Sequence, residues 1–264
     1  MRMKISDYFK KKEKKFGLAL GGGAALGAAH IGVMKALEEM ELKPDMISGT
    51  SIGAFVAAHI AFGTPVETLE EIALDLDWLD ISAFQLSKMG LLNNKKLGQK
   101  ILDELGKVRI EDSPIPLSMI ATNISTGEKV TLTEGPLYKA VMASTCLPGI
   151  FSPVEWNDML LVDGFLCENI PISPLRDQGA ERILAVDLTT NREYSTPEDL
   201  IDLLSNTFDI GLNNMIKQQN DEEEVEWIQP RLSAYNKSDT RQTRKLIDEG
   251  YQEAIQALKK KNDV

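Results

Sequence analysis

Near its start the chain twice runs from a short apolar strand through a tight turn into a helix, an order that narrows the fold more than any other feature. Residues 16–21 (FGLALG) have the length and apolar content of a buried strand. After a run of glycines, His30, Val33, Met34 and Leu37 recur at spacings of three and four, the period of a helix with one buried face. Pro44 and Asp45 punctuate the chain, and residues 46–50 (MISGT) form a second expected strand that enters a helix from Ser51. A strand that returns through a helix lies parallel to the one before it. Further strands are expected at 117–122 (LSMIAT), 128–133 (EKVTLT), 160–162 (LLV) and 183–188 (ILAVDL), with a hairpin turn over 123–127. Helical patterns cover 66–76, 95–106, 197–220 and 240–260, the last with an apolar stripe through Ile247, Tyr251, Ala254, Ile255 and Leu258. Strands alternating with helices predict an α/β fold with a mainly parallel sheet covered on both faces. No internal repeat or long linker interrupts it, so residues 16–264 are expected to form one domain.

The 264 residues, 43% hydrophobic and 26% charged, suffice to bury a substantial core. Against 29 Lys and Arg stand 40 Asp and Glu, a net charge of −11 that gives no positive field to draw nucleic acid. The charge is uneven. Residues 1–15 hold seven basic and two acidic side chains, a net +5, leaving −16 for the rest. This arm is either a solvated terminus or a tether to anionic lipid headgroups, with Ile5, Tyr8 and Phe9 at the interface. The acidic run 221–226 (DEEEVE) reads as a solvated helix end rather than a metal site. Cys146 and Cys167 are too few for a disulfide framework or a four-thiolate zinc site, and read as small apolar side chains in a reducing compartment. The longest apolar stretch, 52–62, is about half of the ~20 residues a membrane-spanning helix needs. No apolar signal region follows the basic start, so the expectation is a cytoplasmic protein, at most peripheral to a membrane.

Gly49-Thr50-Ser51-Ile52-Gly53 fits G-x-S-x-G between an expected strand and an expected helix, the setting of a nucleophile elbow. A strained turn there pushes the serine hydroxyl outward, small flanking residues avoid clashes, and the helix N-terminus favours developing negative charge. The chain has only two histidines, and none follows residue 59, so the order Ser…Asp/Glu…His cannot be completed. His59 lies eight residues past Ser51 on the same helix, about 12 Å along its axis and out of reach. His30 falls on an apolar helix face, where a core histidine is the simpler reading than a base. A carboxylate is therefore the expected partner of Ser51. Asp163, followed by Gly164 at the end of the strand LLV, stands where α/β folds build sites, although Asp-Gly is also a common turn. Residues 21–27 (GGGAALG) form a glycine-rich loop before a helix, either a phosphate cradle or an oxyanion hole of backbone donors. They lack GxxxxGK[ST] and fit G-x-G-x-x-G only with Ala24 in the place of its second glycine.

These elements, in this order, resemble the patatin-like phospholipase family. The resemblance runs through LALGGGAALGAAHIGVMKALEE and PDMISGTSIGAFVAA, then from IPLSMIATNISTGEKV through to LLVDGFLCENIPISPLRDQGAERILAVDL, most of residues 16–190. It implies a three-layer α/β/α sandwich related to cytosolic phospholipase A2 and a Ser–Asp dyad without histidine. On that resemblance Ser51 is the nucleophile, Asp163 its base, and the amides of Gly22, Gly23 and Ala24 the oxyanion loop. Neither a metal nor another cofactor is implied, and the expected substrate is a phospholipid or lysophospholipid ester, cleaved through an acyl-enzyme. An aspartate at its ordinary pKa near 3.9 is a poor base at neutral pH, and partial burial of Asp163 would raise it. Two departures stand out. Leu26 occupies a position that is usually basic in the family, and Phe165 replaces a small residue after Asp-Gly. They keep two alternatives open: an acyltransferase using the same dyad, or a catalytically weak regulatory or scaffold member. An apolar insertion holding Trp78, Leu79, Ile81, Phe84, Leu86, Met89, Leu91 and Leu92 reads as core packing or as an acyl-chain channel.

Overall fold

The computed structural model describes residues 14–75, 83–87, 90–190, 196–197, 203–204, 206–208, 210–211, 225–237 and 239–262. Nearly all of the basic arm, Trp78, Leu79, Ile81, Met89 and most of the expected helix at 197–220 lie outside these residues. β1 (Phe16–Leu20), α1 (Ala28–Glu39), β2 (Met46–Thr50), α2 (Ile52–Ala61) and α3 (Val66–Asp75) form the first crossover layer. β3 (Ala83–Ser87), β4 (Gly90–Asn93), α4 (Lys95–Leu105), β5 (Leu117–Asn123), β6 (Glu128–Leu132) and α5 (Leu137–Ser144) follow. β7 (Gly149–Phe151), β8 (Val154–Trp156), β9 (Met159–Asp163), α6 (Ser173–Asp177), β10 (Arg182–Val186), β11 (Val225–Ile228) and α7 (Thr243–Asn262) complete the described elements.

The main sheet has the order β11-β10-β1-β2-β5-β9-β8, with β6 also paired to β5. Every pair from β11 to β5 is parallel, while β6, β9 and β8 are antiparallel, so the expected mainly parallel sheet carries an antiparallel flank. β1 and β2 are buried at every position, the mark of strands with both faces covered. The two-residue period of a strand sorts their side chains into two cores. Phe16, Leu18 and Leu20 of β1, Ile47 of β2 and Leu184 of β10 enter a large core with α1, α2, α3 and α7. Ala19, Met46, Ile183 and Ala185 enter a smaller one beneath Ile170, Ile172 and Leu175. Two cores on opposite faces of one sheet make three layers.

α7 packs against α1 through reciprocal glycines. A Cβ on Gly32 would lie 1.9 Å from the Ile247 carbonyl oxygen, and one on Gly250 would lie 2.0 Å from that of Ala29. Only glycine lets the two backbones come so close. No described helix is long and apolar enough to cross a membrane. The acidic run needs correction where it is described: Val225 and Glu226 belong to a strand, not to a helix end. Arg182 on the neighbouring strand donates to both carboxylate oxygens of Glu226, at 2.8 and 3.0 Å, which steadies an acidic residue on a sheet edge. In the apolar insertion β3 and β4 pair, and β4 pairs with β7, as a separate small sheet.

Candidate active site

β5 is the template on which the site is assembled. Its first residues pair with β2, which runs parallel and ends with Thr50 beside Ile120. Its last residues pair with β9, which runs the opposite way and ends with Asp163 beside Ala121. β6 pairs with residues 119–123 and so takes the other edge. β2 and β9 therefore share one edge of β5 and meet head-on, their C-terminal residues beside consecutive positions of that strand. Ser51 follows immediately, and its Oγ donates to Asp163 Oδ2 at 2.6 Å across 112 residues of sequence.

The elbow is strained, as the motif requires. Ser51 has φ 56° and ψ −127°, a region that a residue with a side chain rarely adopts. A Cβ on Gly49 would lie 2.5 Å from Ala54 Cα, and one on Gly53 would lie 2.1 Å from the Leu20 carbonyl oxygen, so both flanks must be glycine. Thr50 Oγ1 donates to the Glu168 carbonyl at 2.9 Å, and Ile52 opens α2. The Ser51 N–H donates to Ser144 Oγ at 3.0 Å, while that hydroxyl donates to the Ile120 carbonyl at 2.7 Å. Ser144, fully buried at the end of α5, was not expected from sequence: a lone serine in an unremarked helix carries no pattern.

Asp163 is completely buried. Its N–H donates to the Cys146 carbonyl at 2.8 Å, and its Oδ1 accepts from the Phe165 N–H at 3.0 Å. Gly164 permits this turn, since a Cβ there would lie 2.3 Å from the Ile120 carbonyl oxygen. Burial pushes the Asp163 pKa up to about 7, and the hydrogen bonds from Ser51 and Phe165 hold back part of the rise. A carboxylate so placed is a competent proton acceptor near neutral pH. Burial likewise pushes the neighbouring Cys146 thiol up to about 12, so it stays protonated and inert.

The glycine-rich loop lies directly against the nucleophile. A Cβ on Gly22 would lie 3.2 Å from Ser51 Cβ and 2.6 Å from Asn169 Oδ1. The Gly22 N–H donates to the Asn169 carbonyl at 3.2 Å and the Ala25 N–H to the Lys237 carbonyl at 2.9 Å. Among the described residues the N–H groups of Gly23 and Ala24 have no such acceptor, and Ala24 sits at φ 52°. Beneath the loop, His30 Nε2 donates to the Gly21 carbonyl at 2.8 Å, while its buried Nδ1 has no partner among the described residues. Burial lowers its pKa to about 4, so it is neutral and holds the loop rather than acting as a base. His59 is bonded to the Phe55 carbonyl and to Glu104, at 2.9 and 2.7 Å. Leu26 is fully buried in the large core, and Phe165 is buried against Phe208, their ring centroids 5.0 Å apart.

A family described as patatin-like phospholipase matches residues 18–176, a span that includes the glycine loop, the elbow and Asp163. The chain belongs to the patatin-like phospholipase family. Among curated relatives of this family member, an uncharacterized NTE family protein of Mycobacterium tuberculosis is 37% identical over 65% of the chain and 48% of its own length. A protein named lysophospholipase NTE1 from Eremothecium gossypii is 33% identical over 75% of the chain and 13% of its own length. The chain thus spans about half or less of the length of these relatives. Two solved structures share the patatin-like fold. VipD from Legionella pneumophila superposes with a TM-score of 0.56 and 15% identity, over 94% of this chain and 67% of its own. The type III effector protein ExoU does so with a TM-score of 0.50 and 17% identity, over 94% of this chain and 53% of its own.

Proposed function

We propose that the chain is a serine acyl hydrolase that cleaves carboxylic ester bonds of lipids through Ser51 and Asp163. The observation that carries this reading is the 2.6 Å hydrogen bond between a strained-elbow serine and a buried aspartate whose pKa lies near neutrality. Asp163 takes the proton of Ser51 as Oγ bonds to the ester carbonyl carbon, and the carbonyl π electrons move onto oxygen. The free N–H groups of Gly23 and Ala24 receive that oxyanion, with Gly22 fixing the loop beside Ser51. Collapse of the tetrahedral species breaks the ester C–O bond, and the leaving alkoxide takes the proton from Asp163. Water then gives a proton to Asp163 and attacks the acyl-enzyme; loss of Ser51 Oγ, reprotonated by Asp163, releases the fatty acid. The relative named as a lysophospholipase supports a phospholipid or lysophospholipid substrate. On this reading the enzyme works in the cytoplasm, its basic arm resting on an anionic membrane surface.

Labelling by a fluorescent fluorophosphonate tests the reading. Wild type, which carries Leu26, should be labelled at Ser51, Ser51→Ala should not, and unlabelled wild type would return the chain to the scaffold alternative. Transfer products formed with added alcohols would instead reveal an acyltransferase.

A further inference from the structure

The backbone N–H groups of both dyad residues donate into one short stretch of chain at the end of α5. That of Ser51 donates to Ser144 Oγ at 3.0 Å, and that of Asp163 donates to the Cys146 carbonyl at 2.8 Å. Ser144, Thr145 and Cys146 are all buried. The stretch is itself anchored by Asn94, a buried residue between β4 and α4, whose Nδ2 donates to the Met142 carbonyl at 2.6 Å and to Thr145 Oγ1 at 3.1 Å. The ends of β2 and β9 thus rest on a common support, separate from the side-chain bond that joins the dyad.

The Ser144 hydroxyl occupies a place that a regular sheet has no room for. β2 and β5 run parallel with Ile47 beside Leu117, and the Ile47 N–H donates to the Pro116 carbonyl at 2.9 Å. A strand presents every second residue to the same edge, so the next donors of β2 toward β5 are Gly49 and Ser51, and the next acceptors are Ser118 and Ile120. The last of these rungs is not made directly. Ser51 leaves the strand at φ 56°, and the Ser144 hydroxyl stands between its N–H and the Ile120 carbonyl, accepting from the first and donating to the second at 2.7 Å. A hydroxyl has one proton, and with that proton on Ile120 it can only accept from Ser51.

We propose that Ser144 is a positioning residue of the dyad: its hydroxyl, a spacer in the last rung between β2 and β5, sets the elbow so that Ser51 Oγ faces Asp163. The proposal rests on the serine acyl hydrolase reading and adds to it the group that aims the nucleophile. Without the hydroxyl, either the Ser51 N–H loses its acceptor or β2 closes onto β5 to complete the regular rung. Both outcomes turn Ser51 away from Asp163. Acylation and deacylation each pass through this pair, so both slow together, which lowers kcat and leaves KM in place. Asp163 also loses one of the two hydrogen bonds that hold its pKa down. Cys146, the titratable group beside it, stays protonated throughout, so a moved acid limb reports Asp163.

The test is Ser144→Ala in the full chain, assayed on p-nitrophenyl butyrate across pH. Its kcat should fall about 10²-fold, the cost of a nucleophile misplaced by roughly 1 Å, with KM little changed. The acid limb of kcat/KM should move up by about half a pH unit or more. Ser144→Thr, which keeps the hydroxyl, should recover most of the lost kcat. An unchanged kcat would overturn the proposal, and so would a fall in kcat with the acid limb unmoved, the mark of a merely structural defect. If Ser144→Ala does not fold, Asn94→Ala decides instead: it slackens the support from behind, and kcat should fall about tenfold with the same upward shift of the acid limb. Wild-type kcat and acid limb in that variant would overturn the proposal. Failure of the dyad reading looks different, because wild type is then neither labelled nor active. A crystal structure of the Ser144 or Asn94 variant still decides in that case. Ser51 Oγ moved out of hydrogen-bond reach of Asp163 supports the proposal, and an unmoved Ser51 refutes it.

Discussion

Two buried titratable residues, one on each side of Ser51, have their pKa values moved toward the neutral form and yet serve opposite ends. His30 lies under the glycine loop and Asp163 at the end of β9, both without solvent exposure. For both, desolvation is the largest influence, lowering the histidine to about 4 and raising the aspartate to about 7. What separates them is the partner. His30 meets a backbone carbonyl, which only accepts, so its proton is fixed on Nε2. Asp163 meets a hydroxyl, which can give up its proton, so its basicity has somewhere to act. On the proposed mechanism, burial alone does not make a base; burial against a transferable proton does.

Removing each group should expose the contrast. Asp163→Asn keeps the shape and the acceptor for Phe165 but abolishes the base, and kcat/KM on a short-chain ester should fall about 10³-fold or more. The same variant should be more stable above pH 7, by at most about 4 kcal/mol, because the folded state no longer ionises a buried carboxyl. Chemical denaturation of both proteins at pH 8 checks this; equal stability would mean that Asp163 is not desolvated as described.

The pH dependence follows in sign from the same two shifts. Activity requires ionised Asp163, so kcat/KM should rise with pH through an apparent pKa near 7, with tenfold loss per unit on the acid side. For stability the two residues oppose one another. Between pH 3.8 and 7 the folded state holds more protons on Asp163 than the unfolded state does, so this residue's contribution falls as pH rises. Between pH 4 and 6.5 the unfolded state holds more on His30, so its contribution falls as pH drops. Relative to wild type, Asp163→Asn should therefore gain stability as pH rises through its window, and His30→Leu should gain it as pH falls. Parallel stability curves for the three proteins would refute both assignments.

The smallest expected effect is on activity in His30→Leu. Loss of the bond to Gly21 should lower kcat about tenfold by loosening the oxyanion loop, with KM little changed. A loss as large as that of Asp163→Asn would make His30 more than a support.

Much of this was legible in the sequence. MISGT is a strand from its first residue to its last, and the elbow glycines are required by the clashes the motif predicts. A three- or four-residue strand offers little period to read, and β7, β8 and β11 went unseen, the last because it opens inside an acidic run, where Glu226 pairs with Arg182. Ser144 went unseen because its partners are backbone groups on β5 and at the elbow.

The sequence by itself determined the local machinery: a glycine loop and a serine elbow, each a turn between a strand and a helix, shaped by short-range sterics. It also argued against a histidine base, because its two histidines fall where neither readily completes a triad. Only the tertiary structure decided that β2 and β9 meet head-on along β5, that Gly22 gives its N–H to Asn169 while those of Gly23 and Ala24 find no backbone acceptor among the described residues, and that burial brings the Asp163 pKa near neutrality. Those outcomes depend on strand register and on exclusion of water, which are properties of neighbours distant in the chain rather than of any motif.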